Sequence, residues 1–478
     1  MPFDSAHLLP ILPEVTILVT AGIVLLADLY KKGHDEGRSH GLTLLGLLVA
    51  FGLTGLVGGG ERTVVFDGNV VRDAMSDLLK GAILIVSALA FIYARPWLRD
   101  RQLLLGEFYV LGLCAVLGML VMVAANSLLT LYLGLELQAL SMYALVTFDR
   151  DSKTGPEAAM KYFVLGSLGS GMLLYGASMI YGATGSIELG AVAQAVATPG
   201  SMTTVLVFGI AFLVIGIGFK FAAVPFHMWL PDTYEGSPTP VALILSSAPK
   251  IAAFALAVRL LVEGLGALQS DWQGMLVILA VLSIVLGNVV AIAQTNIKRM
   301  LGYSTISHVG FVFLGLIAGS AQGYAAAMFY IIIYAVASAG TFGMLALLSR
   351  EGFDAENIED LKGLNDRDPW YAAMMALMMF SLAGVPPTVG FMGKLLVLEA
   401  VVRVDMLWLA ILAVALSIVG AFYYLRVVKF IYFEQSVVNE PIVTAGGTRA
   451  AMTINGLAIL FFGLFPATLL GLCQAAFR

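Results

Sequence analysis

Seven ionisable side chains lie within or beside long apolar stretches of this sequence, where charged groups are rare. They are Glu136, Lys161, Lys220, His227, Lys250, His308 and Lys394. Because a charge at the centre of a bilayer costs roughly 2.5–3.5 kcal/mol on insertion scales, such residues face a protein interior or a wet cavity. Lysine, histidine and glutamate side chains can each take up and release a proton. The chemistry that these residue types share is therefore proton transfer through an apolar medium.

Two of the lysines flank an interrupted helix between residues 209 and 250. Lys220 lies at the end of an apolar run that Pro225 breaks, and His227 follows the break. Lys250 lies about ten residues after Pro240, within the next apolar run. A break frees backbone carbonyls, which is tolerated at membrane depth only where protein or water satisfies them. The stretch predicts an internal polar site, with a packed or capping histidine as the alternative role for His227.

The same plan recurs in the stretch FSLAGVPPTVGFMGKLLVLEA. Gly384, Pro386, Pro387 and Gly390 interrupt that apolar run, and Lys394 follows within two turns. Interrupted apolar segments at corresponding positions of two halves are typical of transporters built from repeats, with their sites near the bilayer midplane. The second break lies five spans after the first. Because an odd number of spans reverses the direction in which the chain crosses the membrane, successive copies of a five-helix unit must be inverted relative to each other.

Three further candidates lie on other apolar runs. Glu136 is about eight residues into its run, roughly 12 Å deep at 1.5 Å per residue, and a structural ion pair is the alternative to a functional role. Lys161 begins its run and can extend its ammonium to the surface. His308 lies among Ser304 and Ser307 in a polar stripe, which predicts a proton relay or buried structural hydrogen bonding.

The surrounding sequence is that of an all-α membrane protein. Of 478 residues, 60% are hydrophobic and 12% are charged, and the mean hydropathy is +0.93. Soluble domains carry about 25% charged residues. Apolar runs of 18 or more residues recur along the whole chain and predict about fourteen transmembrane helices, with helices 7 and 12 discontinuous.

The predicted spans form four units. Residues 1–100 are N-terminal scaffold helices 1–3, and residues 101–265 are the first repeat, helices 4–8. Residues 266–435 are the inverted second repeat, helices 9–13, and residues 436–478 hold helix 14. Odd-numbered loops hold about fourteen Lys and Arg residues against about four in even-numbered loops, Lys80 among them. The positive-inside rule therefore predicts cytoplasmic odd loops and both termini on the periplasmic side.

Several other chemistries find no support in the sequence. The two cysteines, Cys114 and Cys473, lie in apolar spans without a CxxC pattern or a Cys/His cluster. The glycine-rich stretches at 166–171 and near Gly216 favour close helix packing over nucleotide loops, since neither joins a strand to a soluble helix. The first span carries Glu14 and lacks a basic n-region, which argues against a cleaved signal peptide.

Three long motifs carry a family resemblance. The stretches KFAAVPFHMWLPDTYEGSPTPV, NIKRMLGYSTISHVG and AGVPPTVGFMGK resemble the antiporter-like membrane subunits of respiratory complex I, a family that includes Mrp-type cation/proton antiporter subunits. The resemblance extends from about the second span to the fourteenth. Among its members, the chain lacks the long extra C-terminal helix of subunit L, and Lys394 stands where subunit M has a glutamate. Ser237 stands where many relatives have alanine.

The resemblance implies a role for each candidate. Glu136 resembles the glutamate that pairs with Lys220, and Lys250 resembles the central lysine of a relay. Lys394 resembles the terminal lysine of the second half-channel, and His308 matches a polar position on the axis that connects the two halves. Lys161 resembles a lysine near the cytoplasmic entrance.

The implied function is that of a proton-translocating subunit of NADH:quinone oxidoreductase. Protons would load Lys220 from the cytoplasm, pass through Lys250 with help from His227 and His308, and leave by way of Lys394. Protonation of the buried lysines would follow the position of the carboxylate, since a nearby negative charge favours the ammonium form that burial disfavours.

The implied partners lie in the membrane and in a redox arm. No cofactor is expected in this chain, and NADH, FMN, iron–sulfur clusters and quinone are expected in partner subunits. The expected partners are other membrane subunits such as M, K and J, and the lipid of the bacterial inner membrane, with no nucleic acid. Two alternatives stay open, namely an Mrp-type Na+/H+ antiporter subunit and a non-pumping structural or quinone-docking subunit.

Overall fold

The computed structural model of the protein is a bundle of long apolar helices. It describes residues 8–30, 37–58, 61–103, 105–198, 200, 202–435, 442 and 446–478. Within these ranges, 13 helices are long and apolar enough to cross a membrane. The remaining predicted span, centred near residue 386, consists of two shorter helices, Pro369–Ala383 and Val389–Val402. The predicted all-α membrane fold is therefore confirmed.

The helices are numbered in chain order. They are α1 Leu12–Leu29, α2 Arg38–Val57, α3 Ala74–Asp100, α4 Gly106–Ala124, α5 Leu128–Val146, α6 Gly155–Thr184, α7 Leu189–Val196, α8 Thr204–Phe221, α9 Trp229–Gly236, α10 Thr239–Ser246, α11 Ala248–Ala257, α12 Gln269–Ile292, α13 Ile297–Ile317, α14 Ala321–Leu348, α15 Leu364–Arg367, α16 Pro369–Ala383, α17 Val389–Val402, α18 Leu407–Phe433, α19 Gly446–Leu464 and α20 Ala467–Ala475. A π-helical segment, Val258–Gly264, continues α11. Two short antiparallel strands, β1 Thr63–Val65 and β2 Val70–Arg72, pair with Thr63 opposite Arg72.

Three spans form the centre of the bundle. In the span Thr239–Gly264, all of the 18-residue apolar stretch is buried inside the protein. The buried share of the corresponding stretch is 94% in α13 and α14, but only 33% in α2, α18 and α19. A helix at the centre of a bundle contacts other helices on every side, whereas a lipid-facing helix needs protein contact on one side only. The candidate residues Lys250 and His308 lie on two of these three central spans.

Helices 7 and 12 are discontinuous, as predicted. The chain leaves α8 at Ala222, whose φ of 61° is left-handed, and becomes helical again at Trp229. It leaves α16 at Gly384, whose φ is 84°, and resumes at Val389. A cis peptide bond precedes Pro225 in the first break and Pro387 in the second.

The eighth span has an interruption of its own. Ser247 has φ −115° and ψ −97°, outside the helical range, and separates α10 from α11. Lys250 lies in the first turn after this point, and Pro249 precedes it. The break at Ser247 thus lies two residues before this proline.

The glycine-rich stretches serve helix packing. A Cβ at Gly169 of α6 would lie 2.4 Å from the ring of Phe219, and a Cβ at Gly216 of α8 would lie 2.5 Å from Leu173. The helices α6 and α8 therefore approach closely because these positions lack side chains.

The two predicted repeats correspond to α4–α11 and α12–α18. Each has its interrupted span in the fourth place, α8/α9 in the first and α16/α17 in the second. The inversion of one repeat relative to the other, and the four-unit division of the chain, stay predictions.

Candidate functional site

Lys220 and Lys250 share one small cavity inside the bundle. Its volume is about 20 Å³, and Gln138, Tyr162 and Trp229 are among the side chains that line it with the two lysines. A site for one water needs roughly 10–15 Å³. The cavity that the two lysines share therefore has room for about one water molecule. We call Glu136, Lys220 and Lys250 the first-half site.

Lys250 satisfies the backbone that the first break leaves open. Its side chain is buried, and Nζ donates a hydrogen bond to the carbonyl oxygen of Phe221 at 3.2 Å. On the other side of the break, the amide of Val224 donates to Ser283 Oγ at 2.9 Å. Side chains of two other spans thus form hydrogen bonds with backbone groups of the break, as buried backbone groups in a membrane require.

Trp229 forms the wall of the first-half site. Its ring stacks on Tyr162 at 4.7 Å and on Phe219 at 5.6 Å between centroids. Its Nε1 donates to the carbonyl of Phe219 at 3.2 Å, which fixes the ring. The Nζ of Lys250 lies 5.4 Å from the ring centre, within the range of a cation–π contact. The ring therefore stabilises the ammonium form of this lysine without a negative charge.

Glu136 acts on Lys220 from a distance. Among the described residues, no nitrogen–oxygen contact of 4.0 Å or less joins the two side chains, so the implied direct ion pair is absent in this structure. Glu136 still acts electrostatically on the Lys220 ammonium. Its Oε1 is buried and accepts no hydrogen bond. An acceptor without a donor is costly to bury, and it is free to take up a new partner.

Lys394 occupies the corresponding place at the second break. Its Nζ donates to the carbonyl oxygen of Ala383 at 2.8 Å and to Ser417 Oγ at 2.8 Å. It also lies 5.1 Å from the ring centre of Phe311. The amide of Gly390 donates to Ser381 Oγ at 3.2 Å, again next to the break. The carbonyl freed by the broken helix is therefore again bound by a lysine.

His308 is hydrogen-bonded to two tyrosine hydroxyl groups in the interior of the bundle. The Nδ1 of His308 lies 2.7 Å from the hydroxyl of Tyr330, and Nε2 lies 2.9 Å from that of Tyr424. The Tyr424 hydroxyl is also hydrogen-bonded to Ser304 Oγ. Lys394 acts electrostatically on the imidazole. We call Lys394, His308 and their hydroxyl partners the second-half site.

The polar stripe on α13 faces the interior, as the sequence predicted. Ser304 and His308 bind tyrosines, and Thr305 accepts a hydrogen bond from the hydroxyl of Tyr334 at 2.8 Å. A second cavity of about 10 Å³ lies against His308 and Tyr330. The tyrosines were not identified from the sequence. Their only signal was the position of polar rings in otherwise apolar helices.

The structure does not bring His227 to either half-site. His227 does not line the cavity between the two lysines, and its buried Nδ1 has no hydrogen-bond partner. The neighbouring Met228 is 71% exposed on the side of the bundle. His227 therefore lies at the outer edge of the first break.

Lys161 belongs to a charged cluster at the end of the bundle. Its side chain is 44% exposed, and Nζ contacts Glu157 at 2.9 Å and Asp232 at 2.8 Å. Asp232 also accepts from Arg299 at 2.6 Å, and Arg299 reaches Glu235 at 2.8 Å. We call these five residues the rim cluster. Lys161 is positioned by surface ion pairs and does not reach the cavity of the first-half site.

A polar cavity of about 60 Å³ lies beside the rim cluster. Glu235, Ser237, Lys298 and Glu356 are among its lining residues. Lys298 is buried, contacts Glu356 at 2.7 Å and donates to the carbonyl of Ser237 at 3.1 Å. The Oγ of Ser237 is buried without a partner. The volume is enough for several water molecules.

An arginine that the sequence reasoning missed closes the opposite end of the eighth span. Arg259 is fully buried in the π-helical segment and binds both oxygens of Asp73, at 2.7 and 2.9 Å. It also contacts Glu263. Burial would raise the pKa of the Asp73 carboxyl, but the Arg259 guanidinium outweighs this and lowers it. The signal was a single arginine in the apolar run ALAVRLLV.

One detail of the charge count is corrected. Lys80 is not a loop residue, because it lies within α3, is buried, and contacts Glu14 of α1 at 2.7 Å. An unpaired ammonium would be expensive there, so the ion pair removes Lys80 from the topological count. The remaining asymmetry between odd and even loops keeps its direction.

Metal chemistry has no support in the described ranges. No group of three or more His, Cys, Asp or Glu side chains there could hold a metal ion. Cys114 and Cys473 are free thiols on separate helices.

Buried lysines beside two broken helices define the class, which is that of antiporter-like membrane subunits. The NADH:quinone oxidoreductase/Mrp antiporter, TM, family model matches residues 125–420. A protein of Thioalkalivibrio sulfidiphilus named NADH-quinone oxidoreductase subunit N is 52% identical over 477 residues, which cover 100% of this chain and 99% of that protein. The chain therefore belongs to the family of NADH-quinone oxidoreductase subunit N, a membrane subunit of an enzyme complex.

Solved structures agree with this assignment. A chain of respiratory complex I from Thermus thermophilus with bound aureothin superposes with a TM-score of 0.84 and 33% identity, over 97% of this chain and 100% of that one. A chain of the Mrp complex from Dietzia sp. DQ12-45-1b superposes with a TM-score of 0.85 at 20% identity, over 99% and 97%. The second likeness is one of fold alone. The family resemblance read from the three motifs is confirmed.

Proposed function

We propose that this chain moves protons across the membrane as one pump module of NADH:quinone oxidoreductase, driven by redox chemistry in other subunits. The observation that carries the proposal is the shared cavity of Lys220 and Lys250, in the interior of the bundle and under the influence of Glu136. The full-length likeness to subunit N proteins supports the complex I context over an Mrp-type antiporter.

Glu136 controls the loading of Lys220. A direct ion pair at 4 Å and an effective dielectric of 20 is worth about 4 kcal/mol, and the wider separation in this structure makes the coupling weaker. Moving one charge against 150 mV requires about 3.5 kcal/mol. Approach of the carboxylate would therefore hold a proton on Lys220, and its withdrawal would release the proton with energy of the right size.

The proton passes from Lys220 to Lys250 through the water site between them. Two ammonium groups on one small cavity repel each other, and the charge of Lys220 acts on Lys250. A like charge disfavours the protonated form. The pair therefore holds one proton more easily than two, so that loading one lysine empties the other.

Transfer between the two half-sites requires a hydration step. The ring of Phe221, whose carbonyl binds Lys250, packs at 5.2 Å against Phe313 of the helix that carries His308. In the described part of the chain, the cavity of the first-half site and the cavity beside His308 have no lining residue in common. Water that enters beside these rings would connect Lys250 to the hydroxyl network, and Lys394 would release the proton to the far side.

The wider context follows from the proposal. Protons enter from the side of the rim cluster, through the polar cavity beside Lys298. NADH, FMN, iron–sulfur clusters and quinone are held by partner subunits, and membrane subunits such as M, K and J flank this chain. The protein lies in the bacterial inner membrane with both termini on the periplasmic side.

The test replaces each member of the loading pair by alanine in the intact complex. In inverted membrane vesicles, Lys220→Ala and Glu136→Ala should lower NADH-driven proton uptake at least tenfold, since a positioned acid–base group typically contributes about 100-fold or more. The matched control is Lys429→Ala, because Lys429 is 63% exposed and pairs with Glu434 at the bundle surface. Assembly is checked by native gel electrophoresis and by NADH oxidation with an artificial electron acceptor.

The outcomes are distinct. Normal proton uptake in Glu136→Ala vesicles, with the complex assembled, would refute the loading switch. Sodium-dependent proton exchange in the absence of NADH would instead favour the Mrp-type antiporter.

A further inference from the structure

A large basic cavity lies where the ends of four helices meet. Its volume is about 650 Å³, and it is enclosed by the start of α2, the end of α3, the end of α14 and the start of α19. None of the seven candidate residues lines it. The cavity is therefore separate from both half-sites.

The rim of the cavity is strongly positive. Arg95, Arg99, Arg350 and Arg367 line it, against the single carboxylate of Asp100, so four positive charges minus one negative give +3 for its described lining residues. Arg99 pairs with Asp100 at 3.2 Å, and the other three arginines also interact with protein groups. Guanidinium groups carry five N–H donors each and bind phosphate oxygens in a bidentate manner.

The inner part of the cavity is apolar. Leu44, Ile92, Leu347 and Leu348 line it, and the last two of these end α14. Leu44 is six residues after the start of α2 at Arg38, and Ile92 is eight residues before the end of α3 at Asp100. At 1.5 Å per residue these positions are roughly 9 and 12 Å below the helix ends. The cavity thus continues from a charged rim into the depth of acyl chains.

We infer that this cavity binds an anionic phospholipid, with its phosphate at the arginines and its acyl chains along the leucine and isoleucine side chains. Basic pockets between transmembrane helices on the cytoplasmic side are suited to such headgroups. A free phosphate ion would satisfy the arginine rim alone and would leave the apolar part unfilled. A zwitterionic lipid would fill the apolar part without matching the charge.

The experiment measures lipid binding to the purified intact complex in a mild detergent. Phosphatidylglycerol, phosphatidylcholine and inorganic phosphate are added separately, and bound lipid is counted by native mass spectrometry while thermal stability is followed in parallel. The wild type should retain phosphatidylglycerol and be stabilised by it. The double variant Arg95→Gln/Arg367→Gln should bind it about 30-fold more weakly, since each arginine near the surface contributes about fivefold to sixfold.

The matched control is Arg403→Gln. Arg403 is an exposed arginine that pairs with Glu399 at the end of α17, outside the cavity. This variant should bind phosphatidylglycerol as the wild type does. Equal stabilisation by phosphatidylcholine, reproduction of the effect by inorganic phosphate alone, or unchanged binding in the double variant would each overturn the inference.

A measurement on the wild type covers the case in which the double variant does not assemble. A photoactivatable phosphatidylglycerol is cross-linked to the intact complex, and labelled peptides are mapped by mass spectrometry. Labels should concentrate on residues 92–100 and 346–350. Labelling confined to other surfaces of the bundle would contradict the assignment.

Discussion

The two half-sites solve the same backbone problem with different electrostatics. At the first break Lys250 binds the carbonyl of Phe221, and at the second break Lys394 binds that of Ala383. In both cases a serine hydroxyl accepts the hydrogen bond of a freed amide. The lysines differ in origin, because Lys250 comes from the following span whereas Lys394 lies on the second part of its own broken span.

The two half-sites also differ in the charged groups that surround their lysines. The first-half site holds two lysines on one cavity with Glu136 at a distance. In the second-half site, Lys394 donates to Ser417 Oγ and to a backbone carbonyl, and His308 is hydrogen-bonded to two tyrosine hydroxyls. Glu399, the acidic residue nearest in sequence, pairs with Arg403 instead.

This contrast teaches which half responds to movement. A full charge acts over several ångströms, so a small displacement of Glu136 changes the energy of a protonated lysine. Neutral dipoles act at contact distance only, so the second-half site holds its lysine in a nearly constant environment. We therefore expect the first half to be the gated part of the path and the second half to be a conduit.

The largest effect is expected from Lys250→Arg. Arginine retains the positive charge and a donor for the Phe221 carbonyl, but it does not release its proton at any relevant pH. Proton uptake in vesicles should fall by about 100-fold or more, with the complex assembled. Lys80→Arg is the matched control, because Lys80 is an equally buried lysine that pairs with Glu14 outside both half-sites. Substantial pumping by the Lys250 variant would show that this residue exchanges no proton.

A second substitution gives the second-half site the carboxylate that it lacks. In Ser417→Asp, a negative charge would lie next to Lys394 Nζ, which now donates to the serine at 2.8 Å. The attraction between the new carboxylate and the Lys394 ammonium would be up to about 4 kcal/mol, so proton release from Lys394 should slow by at least tenfold. NADH-driven proton uptake and quinone reduction would be compared with Ser417→Asn, which is neutral and similar in size. Unchanged uptake would refute the division into gate and conduit.

The two histidines provide a smaller, paired test. His308→Phe removes the hydrogen bonds to Tyr330 and Tyr424 and should lower proton uptake by about tenfold, which is less than the roughly 100-fold that a direct acid–base group contributes. His227→Phe should change it less than about twofold, because His227 lies outside the cavity of the first-half site. A larger effect at His227 than at His308 would move the path to the outer edge of the first break.

The smallest effect is expected at Lys161. Its contacts with Glu157 and Asp232 are surface ion pairs of the rim cluster. Exposed pairs of this kind contribute little, so Lys161→Gln should leave proton uptake within about twofold of the wild type. The measurement is the initial rate of uptake over a range of ionic strength. A severe loss would show that the rim cluster takes part in loading the relay.

Much of this protein could be predicted from residue types and spacing. The apolar runs, the proline breaks after Lys220 and before Lys394, and the polar stripe around His308 all appear in the structure where they were expected. The interior position of Lys250 also followed from its place in a fully apolar run. These features are local, since hydrophobicity and proline act on the segment that contains them.

Other features depended on partners far apart in the chain. Glu136 and Lys220 were expected to be in contact and are not, and Lys161 lies in a surface cluster with Asp232. Tyr424 reaches His308 across 116 positions, and Arg259 reaches Asp73 across 186. The periodicity of the sequence does not show which residues so far apart in the chain come into contact.

The sequence alone determined which segments enter the membrane, where two helices must open, and which side chains are too costly to leave in lipid. The tertiary structure decided which of those side chains meet. Helix rotation and packing set the direction of each side chain to within a few ångströms, and electrostatic coupling and proton transfer change steeply over that distance.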